Sequence, residues 1–448
     1  MDLVVAGAGG GLAGALRAAE LGLSVLVVEA SEHFRRGNNT SMSTAMFPGA
    51  GSRWQVEADI DDSPERFVDD IMTKTKGQAD PRLARTLAEV SAPLVEWLAD
   101  SAGLPLSLVT DFNYPGHAVP RCHSIPGRHG SGVIDHLARR VTEHENIELL
   151  APAKLVDVLT DPDGVRAAVV RYPDGAEEEI PTRAVLLATN GFGADRDLVA
   201  RHLPEIADAL YQGSDQSLGD ALRIGEKLGA ATGYLDAYQG HGAVAANAGT
   251  LVGWATIIHG AILVDAGGRR FGNETRGYSE YAAELAARPG ATGWIVLDET
   301  IFEQCQPFQD FRNTVESGAL VWADDAVGLG EALGLPELAD ELAAAAAIAR
   351  GEREDPFGRT NWERPLSGRY AAVRVVPALF HTQGGLRVNE NAAVVDACDR
   401  PIPGLYAAGG AAASISGHGA AGYLPGNGLL PAFGLAYLAA NDVARRPA

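Results

Sequence analysis

The chain has 448 residues, 36 of them lysine or arginine against 58 aspartate or glutamate, a formal charge of −22 at pH 7. Apolar residues make up 46 % of it, enough to core two or three domains, and the acidic balance excludes nucleic acid or an anionic membrane as the natural partner. Cys122, Cys305 and Cys398 are scattered and no apolar run reaches the length of a membrane helix, so the expectation is a cytoplasmic protein with no metal cluster, disulfide framework, signal peptide or transmembrane segment.

The first predicted elements form a βαβ unit. Leu3–Ala6 is a short apolar run of the buried parallel-strand kind, Leu12–Leu21 has helical Ala/Leu patterning closed by Gly22, and Ser24–Val28 is a second buried strand ending in Glu29 and Ala30. Between strand and helix stand Gly7, Gly9, Gly10 and Gly11. Glycines there let the backbone approach a pyrophosphate at a helix N-terminus, where unpaired N–H groups and the helix dipole favour an anion. Leu12 occupies the usual place of the third glycine. Two registers remain open: Gly11 as the third glycine of a tighter turn, or Gly9, Gly11 and Gly14 as the triplet. In either, Glu29 is the acceptor expected for ribose hydroxyls.

Further along, FRRGNNTSMSTA (Phe34–Ala45) is a Ser/Thr-rich loop containing Asn38, Asn39, Thr40, Ser41 and Thr44. AVLLATNGFG (Ala184–Gly193) resembles the strand and turn, here Thr189, Asn190 and Gly191, that close the FAD domain of flavoproteins. PIPGLYAAGGAAA (Pro401–Ala413), with Gly409 and Gly410, resembles the second flavin-binding signature. GDALRIGEKLGA (Gly219–Ala230) carries Asp220 at a helix start, GGRRFGNE (Gly267–Glu274) reads as a hairpin, and GYLPGNGLLPAFGLAYLAA (Gly422–Ala440) reads as a Gly-rich loop with Gly426, Asn427, Gly428 and Leu429 leading into a last helix.

In this order the segments resemble the fumarate reductase and succinate dehydrogenase flavoprotein superfamily, 3-ketosteroid dehydrogenases included, over nearly the whole chain. The resemblance implies an α/β fold: a Rossmann-like, GR2-type FAD-binding domain over 1–233 and 379–448, with a smaller α+β cap inserted over 234–378 and substrate held between cap and isoalloxazine. It implies FAD contacts from the glycines and polar residues just named. One branch attaches its flavin to a histidine in the Ser/Thr-rich loop; Asn38, Asn39 and Thr40 offer none, so FAD is expected to be non-covalent.

The same resemblance frames the chemistry. Its fumarate reductases place a proton-donating arginine four residues after the Asn-Glu of the hairpin and a second arginine before the last Gly-rich loop. Here those positions hold Tyr278 and Tyr423, the pattern of ketosteroid dehydrogenases. Arg276 takes the first role only in a shortened loop. Dehydrogenating a C–C bond beside a ketone needs a base for the α-proton, an acceptor for the β-hydride and donors for the enolate oxygen. Tyr278 is the candidate base, helped by Arg276 or by Tyr114 in DFNYPGH. Tyr423 O–H and an N–H near Gly428 are the candidate oxyanion donors. His241 and His381 match carboxylate-binding histidines of fumarate reductases. His117, His123, His129 and Arg128 have no assigned role, and Pro425 departs from the serine of some ketosteroid enzymes. The expectation is an FAD-dependent CH–CH oxidoreductase of a ketone or enone, exchanging electrons with a soluble acceptor or redox partner. A fumarate-like enoate reductase using Arg276, His241 and His381 is the alternative, and a non-catalytic FAD-binding subunit the rival of another class.

Overall fold

The computed structural model describes residues 1–446. The chain divides into two compact units, one of residues 1–204, 213–239 and 380–448, the other of residues 205–212 and 240–379.

The first unit is built on strand β1 (Leu3–Ala6), every residue of which is buried. Branched apolar side chains suit a strand covered on both faces. β1 pairs in parallel with β2 (Val25–Val28) in the register Leu3↔Val25 and with Val185–Leu187 in the register Val4↔Val185. The six-stranded sheet runs Ala393–Val395, Pro401–Ala407, Val185–Leu187, β1, β2, Ile147–Leu150. Only the edge strand Ala393–Val395 is antiparallel. The chain leaves β1 in one direction and later returns on its other side, so the carboxyl end of β1 is the topological switch point, where doubly wound sheets bind ligands.

Helix α1 (Gly10–Glu20) starts two residues before the predicted helix. The glycine turn is dictated sterically. Gly7 has φ +103°, and a Cβ there would lie 2.3 Å from the Ala188 carbonyl oxygen. The final helix, Leu429–Arg445, crosses α1 closely because a Cβ at Gly10 would fall 2.3 Å from the Ala432 carbonyl oxygen; lower down, Arg17 Nε donates to Asn441 Oδ1 at 2.9 Å. A three-stranded antiparallel sheet (Lys154–Asp161, Gly164–Arg171, Glu177–Pro181) completes this unit's larger elements.

The second unit centres on the long strand Tyr370–Thr382. Gly293–Asp298 and Leu320–Ala323 pair with it antiparallel, Leu210–Tyr211 parallel, and Ile262–Val264 extends the sheet beyond Gly293–Asp298. Ile262, Leu263, Ile295, Val296, Leu329 and Leu338 meet in its core. The alanine-rich run forms helix Leu338–Ala349. Residues 205–212 belong to this unit because Leu210 and Tyr211 hydrogen-bond to the strand at Ala378 and Leu379. A two-residue strand has no periodicity to read, so the single predicted insertion over 234–378 does not contain it. No helix among the described residues is long and apolar enough to cross a membrane.

Within GGRRFGNE the predicted hairpin is a tight turn: Asp265 N donates to Arg269 O, and Val264 bridges Arg270. Beyond it lies a buried ion cluster. Arg270 forks onto Glu274 at 2.8 and 2.7 Å and reaches Asp355 at 2.6 Å; Arg359 reaches Glu274 at 3.5 Å and the carbonyls of Ala261 and Ile257 at 2.9 and 3.2 Å. Glu274 is fully buried and also accepts from Leu263 N. Such a cluster holds only while complete, since removing one partner strands a buried charge. It pins the chain four residues before Tyr278.

Candidate active site

The cofactor cradle comes first. Gly9 caps α1 and Gly428 precedes Leu429–Arg445, each without a side-chain hydrogen bond to the first turn, although Leu12 N and Leu430 N are taken by the carbonyls of Gly9 and Gly426. Leu12 is buried inside the first turn of α1 as a packing residue; Gly11 lies against Val5 and Gly14 against Leu186 and Ala436, the close helix–strand packing of the third glycine. Glu29 ends β2. Its carboxylate accepts from Ala8 N and Ser31 N, both at 2.8 Å, while burial raises its pKa above the ordinary carboxylate value. Ala30 follows it. Beside the turn, Thr40 Oγ1 would lie 3.1 Å from a Cβ at Gly9.

The neighbouring polar residues divide into two groups. Some are engaged by the protein itself: Asn38 Nδ2 donates to Phe34 O and its Oδ1 accepts from Ser41 N, and Asn39 donates to Phe380 O and accepts from Ser214 N. Thr44 hydrogen-bonds Tyr114, Asn190 Nδ2 donates to Ser217 Oγ, and Asp220 pairs with Lys154 at 2.9 Å. Others are orphaned. Thr189 Oγ1, Ser414 Oγ and both amide atoms of Asn427 are buried with no protein partner. Each such atom costs about 1–3 kcal/mol unless something bonds it. With Gly191, the turn Gly409–Ala411 containing Gly410, and the loop Gly426–Gly428 before Leu429, these orphans fit a large polar ligand such as FAD. Among the described residues no group of three or more His, Cys, Asp or Glu is placed to hold a metal ion.

The first unit also brings Tyr423 and His381 together. Their rings lie 5.9 Å apart, edge to face. Both converge on Gly428: a Cβ there would sit 3.0 Å from His381 Nε2 and 3.4 Å from the Tyr423 hydroxyl. Burial pushes the His381 pKa down to about 4, so the ring is neutral at physiological pH. His117 supports this loop by donating from Nε2 to the Pro425 carbonyl at 2.8 Å. Tyr114 lies three residues earlier, packed edge-on against Phe112 at 4.8 Å beside Cys122, Met46 and Val109. Burial raises its hydroxyl pKa well above the ordinary value, against the hydrogen bond to Thr44 and the charge of Arg128. His123 bonds Ser52 Oγ at 2.9 Å, His129 caps helix Gly130–Thr142, and Arg128 pairs with Asp111, so these three serve the scaffold.

In the second unit Tyr278 opens helix Tyr278–Ala286 directly after the Glu274–Arg276 turn. It packs on the unit's core and stacks on His241, with ring centres 4.8 Å apart and planes inclined by 16°. His241 Nδ1 accepts from Ala243 N at 3.1 Å, which leaves the ring proton on Nε2; burial lowers its pKa to about 3. Arg276 is directed to carboxylates, 3.9 Å from Glu280 and 3.4 Å from Glu284, with its side chain 54 % exposed. Sequence reading passed over Gln383 and Ser416, which hold His381, and the ion cluster behind Tyr278. Gln383 stands two residues from His381 in FHTQGG, the one available signal.

A family model described as an FAD binding domain matches residues 2–429. Fumarate reductase (cytochrome) of Shewanella frigidimarina is 28 % identical over 454 residues, 99 % of this chain and 77 % of that protein. Among solved structures, the open conformation of a flavocytochrome c3 fumarate reductase superposes with a TM-score of 0.82 at 26 % identity, covering 99 % of this chain and 78 % of the other. 3-Ketosteroid delta1-dehydrogenase of Sterolibacterium denitrificans shares the fold at a TM-score of 0.79 and 22 % identity, covering 99 % of both chains.

Proposed function

The chain belongs to the FAD binding domain family and is an FAD-dependent oxidoreductase of CH–CH bonds; from that premise we propose that it interconverts a saturated ketone and its α,β-unsaturated enone. The observation that carries this reading is the convergence of the Tyr423 hydroxyl and the neutral His381 ring on Gly428, while Arg276 is drawn to Glu280 and Glu284. Neutral donors suit a neutral carbonyl oxygen that gains charge during reaction. Bound FAD supplies the two-electron partner that takes or gives the β-hydride. Tyr278 exchanges the α-proton at its phenol oxygen, and Tyr423 O–H with the Gly428 N–H holds the carbonyl oxygen as it becomes enolate-like. Substrate is accordingly a small uncharged carbonyl compound of the cyclic-ketone or ketosteroid class.

A second reading, reduction of an unsaturated carboxylate, draws support from the fumarate reductase relatives by name. It assigns proton transfer to Arg276 and carboxylate binding to His241 and His381. The deciding experiment is anaerobic. The enzyme is reduced, freed of excess reductant and mixed with cyclic enones, steroid enones, fumarate or urocanate while flavin absorbance is followed; the oxidised enzyme is mixed with the saturated ketones. Fast reoxidation by enones with inert dicarboxylates supports the first reading. Fast reoxidation by fumarate or urocanate, with inert enones, establishes the second.

A further inference from the structure

We propose that Gln383, backed by Ser416, is a positioning residue that fixes the ring proton of His381 on Nε2 and so makes His381 a neutral hydrogen-bond donor to the substrate's carbonyl oxygen. This rests on the reading of Tyr423 and His381 as substrate-facing groups.

The contacts form a directed chain. Ser416 Oγ–H donates to Gln383 Oε1 at 2.8 Å, and Gln383 Nε2–H donates to His381 Nδ1 at 2.9 Å. A neutral imidazole carries one proton, so an occupied acceptor at Nδ1 places that proton on Nε2. Nε2 is the ring edge that approaches Gly428, 3.0 Å from where a Cβ would stand. The amide is held from both sides of its backbone, since Gln383 N donates to Ala237 O at 2.7 Å and Ser414 N to Gln383 O at 2.9 Å. Gln383 is 3 % exposed and Ser416 1 %, so the relay behind the half-buried His381 ring is shielded from water. The Thr382 carbonyl, 3.3 Å from Nδ1, is the competing acceptor that would draw the proton the other way, and it is the longer contact. Tyr423, from the Gly-rich loop, is the titratable side chain against the ring; Gln383 and Thr382, from the strand, contribute an amide and a carbonyl. A donor held neutral in this way prefers a ketone oxygen to a carboxylate, for which an imidazolium would be the better partner.

The test uses holoenzyme labelled with 15N-histidine, with the His381 signals assigned by their loss in His381→Asn. Long-range 1H–15N spectra should show a neutral ring protonated at Nε2. Gln383→Leu should give a mixture of tautomers and slow turnover roughly tenfold, the worth of one hydrogen bond. Gln383→Glu puts a carboxylate at Nδ1 and so demands a proton there. Its His381 should titrate at higher pH than in the wild type, and turnover should fall as pH rises through that titration because Nε2 then loses its proton. Protonation of wild-type His381 at Nδ1 would overturn the proposal even if both variants fail to fold. So would an unchanged Nε2 tautomer in a folded Gln383→Leu, or a wild-type pH profile in Gln383→Glu. A correct tautomer with no enone turnover would instead count against the substrate reading alone.

Discussion

Gly428→Ala isolates the convergence of donors from the rest of the fold. The backbone at Gly428 has φ −81° and ψ −48°, right-handed helical values that alanine adopts without strain. Only the added methyl matters. It would stand 3.0 Å from His381 Nε2 and 3.4 Å from both His381 Cε1 and the Tyr423 hydroxyl, inside or at the edge of the ~3.5–4.0 Å of ordinary contact. His381 cannot withdraw without giving up Gln383, so the methyl occupies the place where a carbonyl oxygen must come. Losing one preorganised donor of this kind costs about 2.7–4 kcal/mol, roughly two to three orders of magnitude in rate. The assay is anaerobic stopped-flow reaction of the flavin with the substrate found in the panel above, alongside FAD content and a thermal melt. Compared at equal FAD loading, the variant should melt within a few degrees of wild type while reacting hundreds of times more slowly. Wild-type kinetics in a folded, FAD-loaded Gly428→Ala would refute the argument, because a carbonyl oxygen and that methyl cannot share the position.

Tyr278→Phe should leave binding intact and slow flavin reaction by roughly two to four orders of magnitude, whereas Arg276→Ala, whose side chain is half exposed among glutamates, should cost little; the same rapid-mixing traces check both, and the reverse order supports the carboxylate reading. Acid precipitation should leave yellow flavin in the supernatant, since Asn39 stands in the loop where a covalently linked flavin finds its histidine; Glu29→Ala should lower FAD occupancy after dialysis, measured by absorbance ratio. Asp298 offers a pH test. Burial works to raise its pKa, but bonds from Arg364, at 2.6 Å to each oxygen, with Ser367 N and Ile301 N hold it below the ordinary 3.8. A carboxylate lowered on folding stabilises above its unfolded value and ceases to do so as pH falls through the folded one. Asp298→Asn should therefore cost about 2–3 kcal/mol at pH 7, and melts of variant and wild type should draw together as pH falls below the ordinary carboxylate value.

The opening βαβ unit was legible in sequence because parallel strands buried on both faces leave unbroken apolar runs and the turn between them admits little besides glycine. Leu3–Ala6 and the strand leading to Glu29 stand where the pattern placed them, while α1 begins at Gly10, two residues before the predicted start. The last helix was legible through the resemblance of Gly422–Ala440 to a closing Gly-rich loop and helix. Local pattern failed where function depends on pairings distant in sequence. Nothing near Asn39 announces that its amide is taken by Phe380 and Ser214, 341 and 175 residues on. Nothing near Leu210 announces a strand that belongs with Ala378. His381 was recognisable as a residue type in a motif, but its protonation is written in Gln383 and Ser416, and only the fold brings the second of these to Gln383.

The charge cluster of Arg270, Glu274, Asp355 and Arg359 bears on how such a protein diversifies. Its four members hold one another and the adjoining turn, and Tyr278 is not one of them. Selection can therefore exchange the side chain at 278, arginine for tyrosine or the reverse, without disturbing the anchor that delivers it. A change at 274 has no such latitude, since it takes from buried Arg359 its carboxylate and leaves Arg270 with Asp355 alone. Reaction type can drift in this architecture by single replacements at the reacting positions, while the knot behind them changes in concert or not at all.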